Sequence, residues 1–258
     1  MSVASVPFVV VIPSRRASTR LPDKPLLDLG GRSLVLRVLD VGRASGASRV
    51  MVATDDTAIA AAVRADGGEV VLTSPEHPTG TDRLAEVTQT LGLSDETIVV
   101  NLQGDEPFVP SDLLGRLAAA LDASSSAGIA TLATPIRSRD ELFEASVVKV
   151  VLDASSHALY FSRAPIPFAR GDFDADGARK RAMPTSPTYL RHLGLYAYRA
   201  GTLATLTRAA SSPAEVAESL EQLRALHLGI RIHVSIVDEP PERGIDTPDD
   251  YARALARF

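Results

Sequence analysis

A chain of 258 residues exceeds the roughly 100 to 200 residues of one typical domain and can bury a substantial core unaided. Its residues are 45% hydrophobic and 23% charged, with a formal net charge of only −5, so the summed field gives no general attraction to nucleic acid or anionic lipid and any bound anion must be met by local basic groups. The absence of cysteine excludes disulfide staples, thiolate zinc sites and cysteine nucleophiles, and it suits a reducing cytoplasm.

In chain order, the apolar run Phe8–Ile12 predicts a first strand. It is far shorter than the about 20 residues of a membrane span and no basic stretch precedes it, so no targeting or membrane segment is expected. A short strand over Leu26–Leu29, a Gly30-Gly31 turn and a capping Ser33 lead into a helix over Leu34–Ala44. Strands are expected at Arg49–Thr54, Glu69–Leu72, Thr97–Leu102 and Ile129–Pro135, with helical spacing over Ala58–Ala65, Arg83–Leu91 and Asp112–Leu121. This alternation predicts an α/β class, a doubly wound and mostly parallel sheet over residues 1–135, whose ligand crevice lies beyond the carboxyl ends of the strands, after Ile12, Thr54 and Leu102.

After Pro135 the rhythm becomes strand-rich, with Val147–Asp153, Ala158–Ser162 and Tyr189–Tyr198 and a polar segment, Ala169–Pro187, expected to be a mobile loop. Residues 136–212 read as a smaller subdomain. A helix over Pro213–Leu228, a strand over Arg231–Val237 and a closing helix from Thr247 make residues 213–258 a return to the core.

Three segments carry candidate chemistry. The stretch after the first strand places Arg15, Arg16, Arg20 and Lys24 within ten residues, with Pro22 and Pro25 bracketing the lysine. At that point of an α/β sheet, backbone N–H groups and cations can face a polyphosphate, which makes Arg15, Arg20 and Lys24 the expected clamp; the alternative is a solvated basic loop. Neither a dinucleotide G-x-G-x-x-G nor a P-loop signature occurs. The strand ending Asn101-Leu102-Gln103-Gly104-Asp105-Glu106 aims Asp105 at the same crevice, where a carboxylate beside a triphosphate needs a divalent cation between them, and oxygen ligation favours Mg²⁺. The competing reading is an ordinary turn with an Asp cap. Asp246, in Gly244-Ile245-Asp246-Thr247-Pro248, reads by itself as the cap of the last helix.

Taken together, these segments resemble the 3-deoxy-manno-octulosonate (Kdo) cytidylyltransferases, the CMP-Kdo synthetases. The resemblance covers nearly the whole chain. It runs through Val11-Ile12-Pro13-Ser14-Arg15, Ser18-Thr19-Arg20-Leu21-Pro22, Lys24-Pro25-Leu26, Val52-Ala53-Thr54-Asp55, Gly80-Thr81-Asp82-Arg83-Leu84-Ala85-Glu86-Val87 and Asn101-Leu102-Gln103-Gly104-Asp105-Glu106-Pro107. It continues in Val148-Lys149-Val150-Val151-Leu152-Asp153, Tyr160-Phe161-Ser162-Arg163-Ala164-Pro165, Arg191-His192-Leu193-Gly194-Leu195-Tyr196, Leu220-Glu221-Gln222-Leu223-Arg224 and Asp246-Thr247-Pro248. Asp23 stands where Gly is common, Asp82 replaces a Glu, and Phe168 stands where Trp is frequent.

The resemblance implies a nucleotide-diphospho-sugar transferase-like fold and transfer of CMP from CTP to the anomeric hydroxyl of Kdo, with release of pyrophosphate, for lipopolysaccharide biosynthesis. It implies that Arg15 and Lys24 hold the CTP phosphates and, with Asp105, carry catalysis, while Pro13 and Ser14 approach the nucleotide through backbone. Thr79, Gly80 and Arg83 are implied near the cytidine, and Gln103, Arg163, His192, Tyr196, Glu221 and Gln222 around the sugar acid. Asp105 and Asp246 are implied as Mg²⁺ ligands, and the enzyme as a cytoplasmic homodimer without nucleic-acid or membrane partners. His192, Gly194 and Tyr196 share one strand face by alternation. His157, His227 and His233 show no ligand spacing, and His77 stands out only because it precedes the cytidine segment. Neuraminic acid or 8-amino-Kdo are the alternative acids, and a non-catalytic nucleotide-sugar sensor is the alternative from another class.

Overall fold

The computed structural model describes residues 6–16, 21–170, 172–173, 183–184 and 187–257. The chain divides into two compact units. The first comprises Met1–Ala123, Leu195–Thr207 and Pro241–Phe258, and the second Ser124–Gly194 and Arg208–Pro240.

In the first unit, β1 (Phe8–Ser14), β2 (Arg49–Thr54), β3 (Glu69–Leu72) and β4 (Ile98–Asn101) are parallel in the order β3-β2-β1-β4, with registers such as Ile12 opposite Val52 and Val10 opposite Val100. β1 is buried along its whole length, as a central parallel strand with both faces covered must be, and its run of Val and Ile follows from that. The crossovers are α1 (Leu34–Arg43), α2 (Thr57–Ala65) and α3 (Gly80–Thr90), and α4 (Ser111–Ala123) follows β4. Asp56 caps α2 through the Ala58 and Ile59 N–H groups. The expected strand at Leu26–Leu29 is instead a 3₁₀ turn over Lys24–Leu26, opened by Pro25 at the helical N-terminus, with a single bridge between Asp28 and Ser33.

The second unit pairs β5 (Ala127–Pro135) in parallel with β9 (Arg231–Ile236), and β6 (Lys149–Leu152) antiparallel with β7 (Ala158–Ser162). β8 (Leu190–Arg199) pairs with β6 through Leu190 and Arg191, and its residues Tyr196–Arg199 lie antiparallel to β4. The units are drawn differently from the boundaries at 135 and 212. β5 groups with its partner β9 in the second unit, Leu195–Thr207 groups with the first, and of residues 213–258 only the segment from Pro241 does.

Three further differences stand out. The expected helix over Pro213–Leu228 is two short helices, α7 (Pro213–Glu218) and α8 (Gln222–His227), broken at Ser219 in the left-handed region. α5 (Arg139–Phe143) and α6 (Ala200–Arg208) have no counterpart in the sequence reading. Within the segment expected to be mobile, Phe173 is only 5% exposed and packs with Ile136, Leu142, Val147 and Tyr189, with Met183 against them. Most of 174–186 lies outside the described residues. The closing helix α9 (Pro248–Leu255) begins where expected.

Candidate active site

The carboxyl ends of β1 and β4 and the amino end of α3 enclose a cavity of about 370 Å³, within the range of small-ligand sites. Pro13, Ser14, Arg15, Lys24, Thr79, Gly80, Arg83, Gln103, Asp105 and Asp246 all line it, so every residue expected for the nucleotide and the metal, and Gln103 from the sugar set, meets at one place. Arg20 lies outside the described residues. Pro25, His77, Pro78 and Gly104 complete the wall.

Lys24 is the centre of this arrangement. Asp23, beside it, takes a left-handed backbone (φ 53°), the conformation that explains why glycine is at home there, and its carboxylate accepts from Arg16 Nε at 2.5 Å. Pro25 then fixes the following turn. The Lys24 ammonium donates to Asp105 Oδ2 at 2.7 Å and to Asp246 Oδ1 at 3.1 Å, all three side chains being partly shielded from solvent. Two aspartates 141 positions apart therefore converge on one cation.

Backbone geometry sets both carboxylates. A Cβ on Gly104 would stand 2.8 Å from the Pro13 carbonyl oxygen, so the Gln103-Gly104 turn reaches β1 only because residue 104 has no side chain. The Ile245 N–H donates to the Asp105 carbonyl at 2.8 Å, which ties the segment carrying Asp246 to the one carrying Asp105. Asp246 is not the cap of α9. Thr247 is, in a capping box with Asp250, leaving the Asp246 carboxylate turned to Lys24. Nor does Asp105 cap α4, which begins six residues later. Beside them, burial, and then the charges of Asp105 and Asp246, push the Glu106 carboxyl up to about 8, and its Oε2 is buried with no hydrogen-bond partner among the described residues. Asp105 and Asp246 offer hard carboxylate oxygens, of the kind that suits magnesium rather than a softer metal, though among the described residues no group of three or more His, Asp or Glu side chains is gathered to hold an ion.

At the far end of the cavity, Thr79 and Asp82 form the capping box of α3, with Asp82 doing the work usual for Glu. Arg83 is 3% exposed, and its guanidinium is tied to Thr73 Oγ1 and, at 3.0 Å, to Asp55 Oδ2, closing the wall beyond β2 and β3. His77 Nε2 lies 2.6 Å from Glu86 Oε2. Of the wall residues that sequence reasoning left without a role, His77 and Pro78 sit in the β3–α3 loop, Pro25 beside the lysine and Gly104 in the turn after β4; a loop leaving the carboxyl end of a strand is the signal that could have found them.

The remaining residues expected around a sugar acid divide between the units. Tyr196, in the first unit, stands opposite Asn101 in the β4 pairing and stacks on Tyr198. His192, in the second, is buried against the Phe161 ring, with Nε2 3.0 Å from Thr131 Oγ1. Because that hydroxyl donates to the Leu193 carbonyl, it accepts from His192, which places the ring proton on Nε2. Burial pushes this imidazole down to about 3. Arg163 donates to three main-chain carbonyls, Glu218 at 2.7 Å, Ala145 at 3.1 Å and Ser219 at 3.4 Å, a brace that holds the end of β7 to the break between α7 and α8. Glu221 and Gln222 follow that break directly. Lys149, fully buried, donates to the carbonyls of Glu144, Val147 and Arg163 beneath them.

Comparison with known proteins identifies the family. A cytidylyltransferase family model matches residues 9–232. The 3-deoxy-manno-octulosonate cytidylyltransferase of Halorhodospira halophila (strain DSM 244 / SL1) is 54% identical over 252 residues, 97% of this chain and 96% of that protein. A solved CMP:2-keto-3-deoxy-manno-octonic acid synthetase in complex with CTP superposes with a TM-score of 0.87 at 38% identity, covering 98% of both chains. The chain belongs to the cytidylyltransferase family and, within it, to the 3-deoxy-manno-octulosonate cytidylyltransferases.

Proposed function

We propose that this enzyme transfers CMP from CTP to the anomeric hydroxyl of Kdo, giving CMP-Kdo and pyrophosphate. The observation that carries the reading is the meeting of Lys24 with Asp105 and Asp246 in a nucleotide-sized cavity of a chain so similar to a Kdo cytidylyltransferase. Arg15 and Lys24 face the triphosphate and offset the charge that grows on the departing pyrophosphate, in a transfer dominated by positioning and electrostatics. Asp105 and Asp246 supply carboxylate oxygens for magnesium, which when bound neutralises phosphate charge and lowers the pKa of a coordinated hydroxyl. The α3 end of the cavity takes the cytidine, and Gln103 reaches toward the acceptor.

The finer expectations belong to the same reading: a homodimer, a cytoplasmic enzyme and a place in lipopolysaccharide biosynthesis. Among the described residues no helix is long and apolar enough to cross a membrane, and Leu159 and Tyr160 on β7 and Phe168 are exposed apolar groups that support a second copy at the second unit. Sedimentation at micromolar concentration checks the dimer.

The decisive assay is CTP-dependent pyrophosphate release with Kdo, set against UTP and against neuraminic acid and 8-amino-Kdo. Asp105→Asn and Asp246→Asn are each expected to fold normally and to lose activity by orders of magnitude. Near-normal turnover by either at limiting Mg²⁺ contradicts the metal role, and turnover with another acid but not Kdo replaces the substrate.

A further inference from the structure

Two aspartates follow β2, and they turn to different tasks. Asp56 caps α2, whereas the Asp55 carboxylate accepts from Arg83 Nη2 at 3.0 Å. Thr73, the residue after β3, accepts from Arg83 Nη1 through its hydroxyl. The sheet keeps these two acceptors side by side: Thr54 pairs with Leu72, and the Thr73 N–H donates to the Thr54 carbonyl at 3.0 Å. Arg83 lines the cavity, while Asp55 and Thr73 stand outside its lining, so the ends of two neighbouring strands grip the guanidinium from behind.

Stability does not explain an arginine at this position. It lies in the first turn of α3, where the helix dipole disfavours a cation, and it is 3% exposed, where a charge must be matched. A buried ion pair gives little stability over apolar residues of similar volume. Glu86, one turn further along α3, feels the Arg83 charge but is engaged by the Ser74 N–H and His77, which leaves Asp55 as the carboxylate in contact with the guanidinium. Among the described residues Arg83 spends two of its five N–H groups, and three remain for a ligand in the cavity it lines.

We infer that Asp55, with Thr73, is a positioning residue for nucleotide binding: it fixes the plane of the Arg83 guanidinium and matches its charge, so that the unspent N–H groups stay presented to the nucleotide. Asp55 acts through Arg83 and touches no substrate. The inference rests on the cytidylyltransferase reading and adds to it the residue that holds one of the nucleotide contacts in place.

The test uses the full chain and the variants Asp55→Ala, Asp55→Asn, Thr73→Val, Arg83→Met and the double variant Asp55→Ala with Arg83→Met. CTP binding is measured by calorimetry without Kdo, and kcat and KM by pyrophosphate release. Asp55→Ala is expected to weaken CTP binding about tenfold or more, the scale of a charge-assisted hydrogen bond, and Thr73→Val to weaken it less. The loss appears in KM for CTP and not in KM for Kdo. Asp55→Asn, which keeps an acceptor but not the charge, lies between wild type and Asp55→Ala. In the Arg83→Met background no charge is left to match, so Asp55→Ala changes CTP binding there by less than about twofold, whereas a general structural role would persist. Should Asp55→Ala fail to fold, Asp55→Asn in both backgrounds makes the same comparison. Wild-type CTP affinity in the folded Asp55 variants or in Arg83→Met, or losses that multiply in the double variant, overturn this inference and leave the proposed function standing. Wild-type protein that binds no CTP and releases no pyrophosphate overturns the proposed function together with it.

Discussion

His192 gives a prediction whose size follows from burial alone. Its imidazole is 9% exposed, donates from Nε2 to Thr131 and packs edge-on against Phe161 at a centroid distance of 4.9 Å. Charging it there removes hydration, which is why burial pushes the pKa from 6.5 down to about 3. In the interval between those values only the unfolded chain takes up the proton. Stability from this group is therefore complete above pH 6.5 and is lost as pH falls below it, until the native ring also protonates near 3. Between pH 7.5 and 5.5 the loss is about 1.4 kcal/mol, a factor of ten in the folding equilibrium, and it is set by the unfolded pKa as long as the native ring stays neutral. Urea unfolding of wild type and His192→Asn at both pH values isolates it, because every other titration, His233 included, cancels in the difference. The stability gap between the two proteins should shrink by that amount on acidification; a gap constant to within a few tenths of a kcal/mol would show that the native ring titrates normally.

Two further outcomes are expected. Gly244→Ala places a Cβ 2.9 Å from the Asp105 carbonyl oxygen, where ordinary contact begins at 3.4 Å, so the Asp246 segment must yield by about half an ångström; with a 1 Å misplacement costing on the order of a hundredfold, kcat falls about tenfold while CTP binding without metal is unchanged, and a wild-type kcat removes this contact from the account. Asp66, hydrogen-bonded by Arg32 and then Arg43, has its carboxyl lowered from 3.8 to about 2. Its contribution is present above 3.8 and lost as pH falls through about 2, so the stability gap between wild type and Asp66→Asn closes over that window in acid titrations, whereas a pH-independent gap refutes the linkage.

Much of the first unit was legible because its strands are apolar runs with no competing period. The elements that were missed are those whose cause lies elsewhere in the chain. α6 starts directly at the end of β8 with Gly201 in its first turn, a poor helix residue, and there the Gly201 N–H donates to the Asp95 carbonyl while a Cβ would stand 3.0 Å from the Asp95 side chain. The break at Ser219 has no glycine or proline to announce it. Arg163 takes the carbonyls of Glu218 and Ser219, and the Glu218 carboxylate accepts from Ser162 Oγ and the Arg163 N–H, so contacts with β7 override an apolar spacing that runs straight through. In the site, the basic loop and the Gln-Gly-Asp turn followed from position at strand ends, but Asp246 entered only through family resemblance. No local pattern connects it to Asp105; the link is a main-chain hydrogen bond from Ile245.

That main-chain link bears on how the site tolerates its own charge. Asp105 Oδ2 and Asp246 Oδ1 lie 2.7 and 3.1 Å from one nitrogen and so at most 5.8 Å from each other; at an effective dielectric near 20 two like charges at that separation repel by roughly 3 kcal/mol, enough to swing either side chain away unless something holds it. The direct hydrogen bond from Ile245 to Asp105, with Gly244 and Gly104 allowing close backbone approach, fixes the roots of both side chains. Lys24, its turn set by Asp23 and Pro25, places an ammonium between their oxygens. Burial, and then the charges of Asp105 and Asp246, push the neighbouring Glu106 carboxyl up, which favours its neutral form and limits further repulsion. A triphosphate brings more negative charge into the same space, so a cation must stand between it and the aspartates. The backbone therefore enforces an arrangement that charge alone would disperse, and the cavity's demand for cations follows from that enforcement.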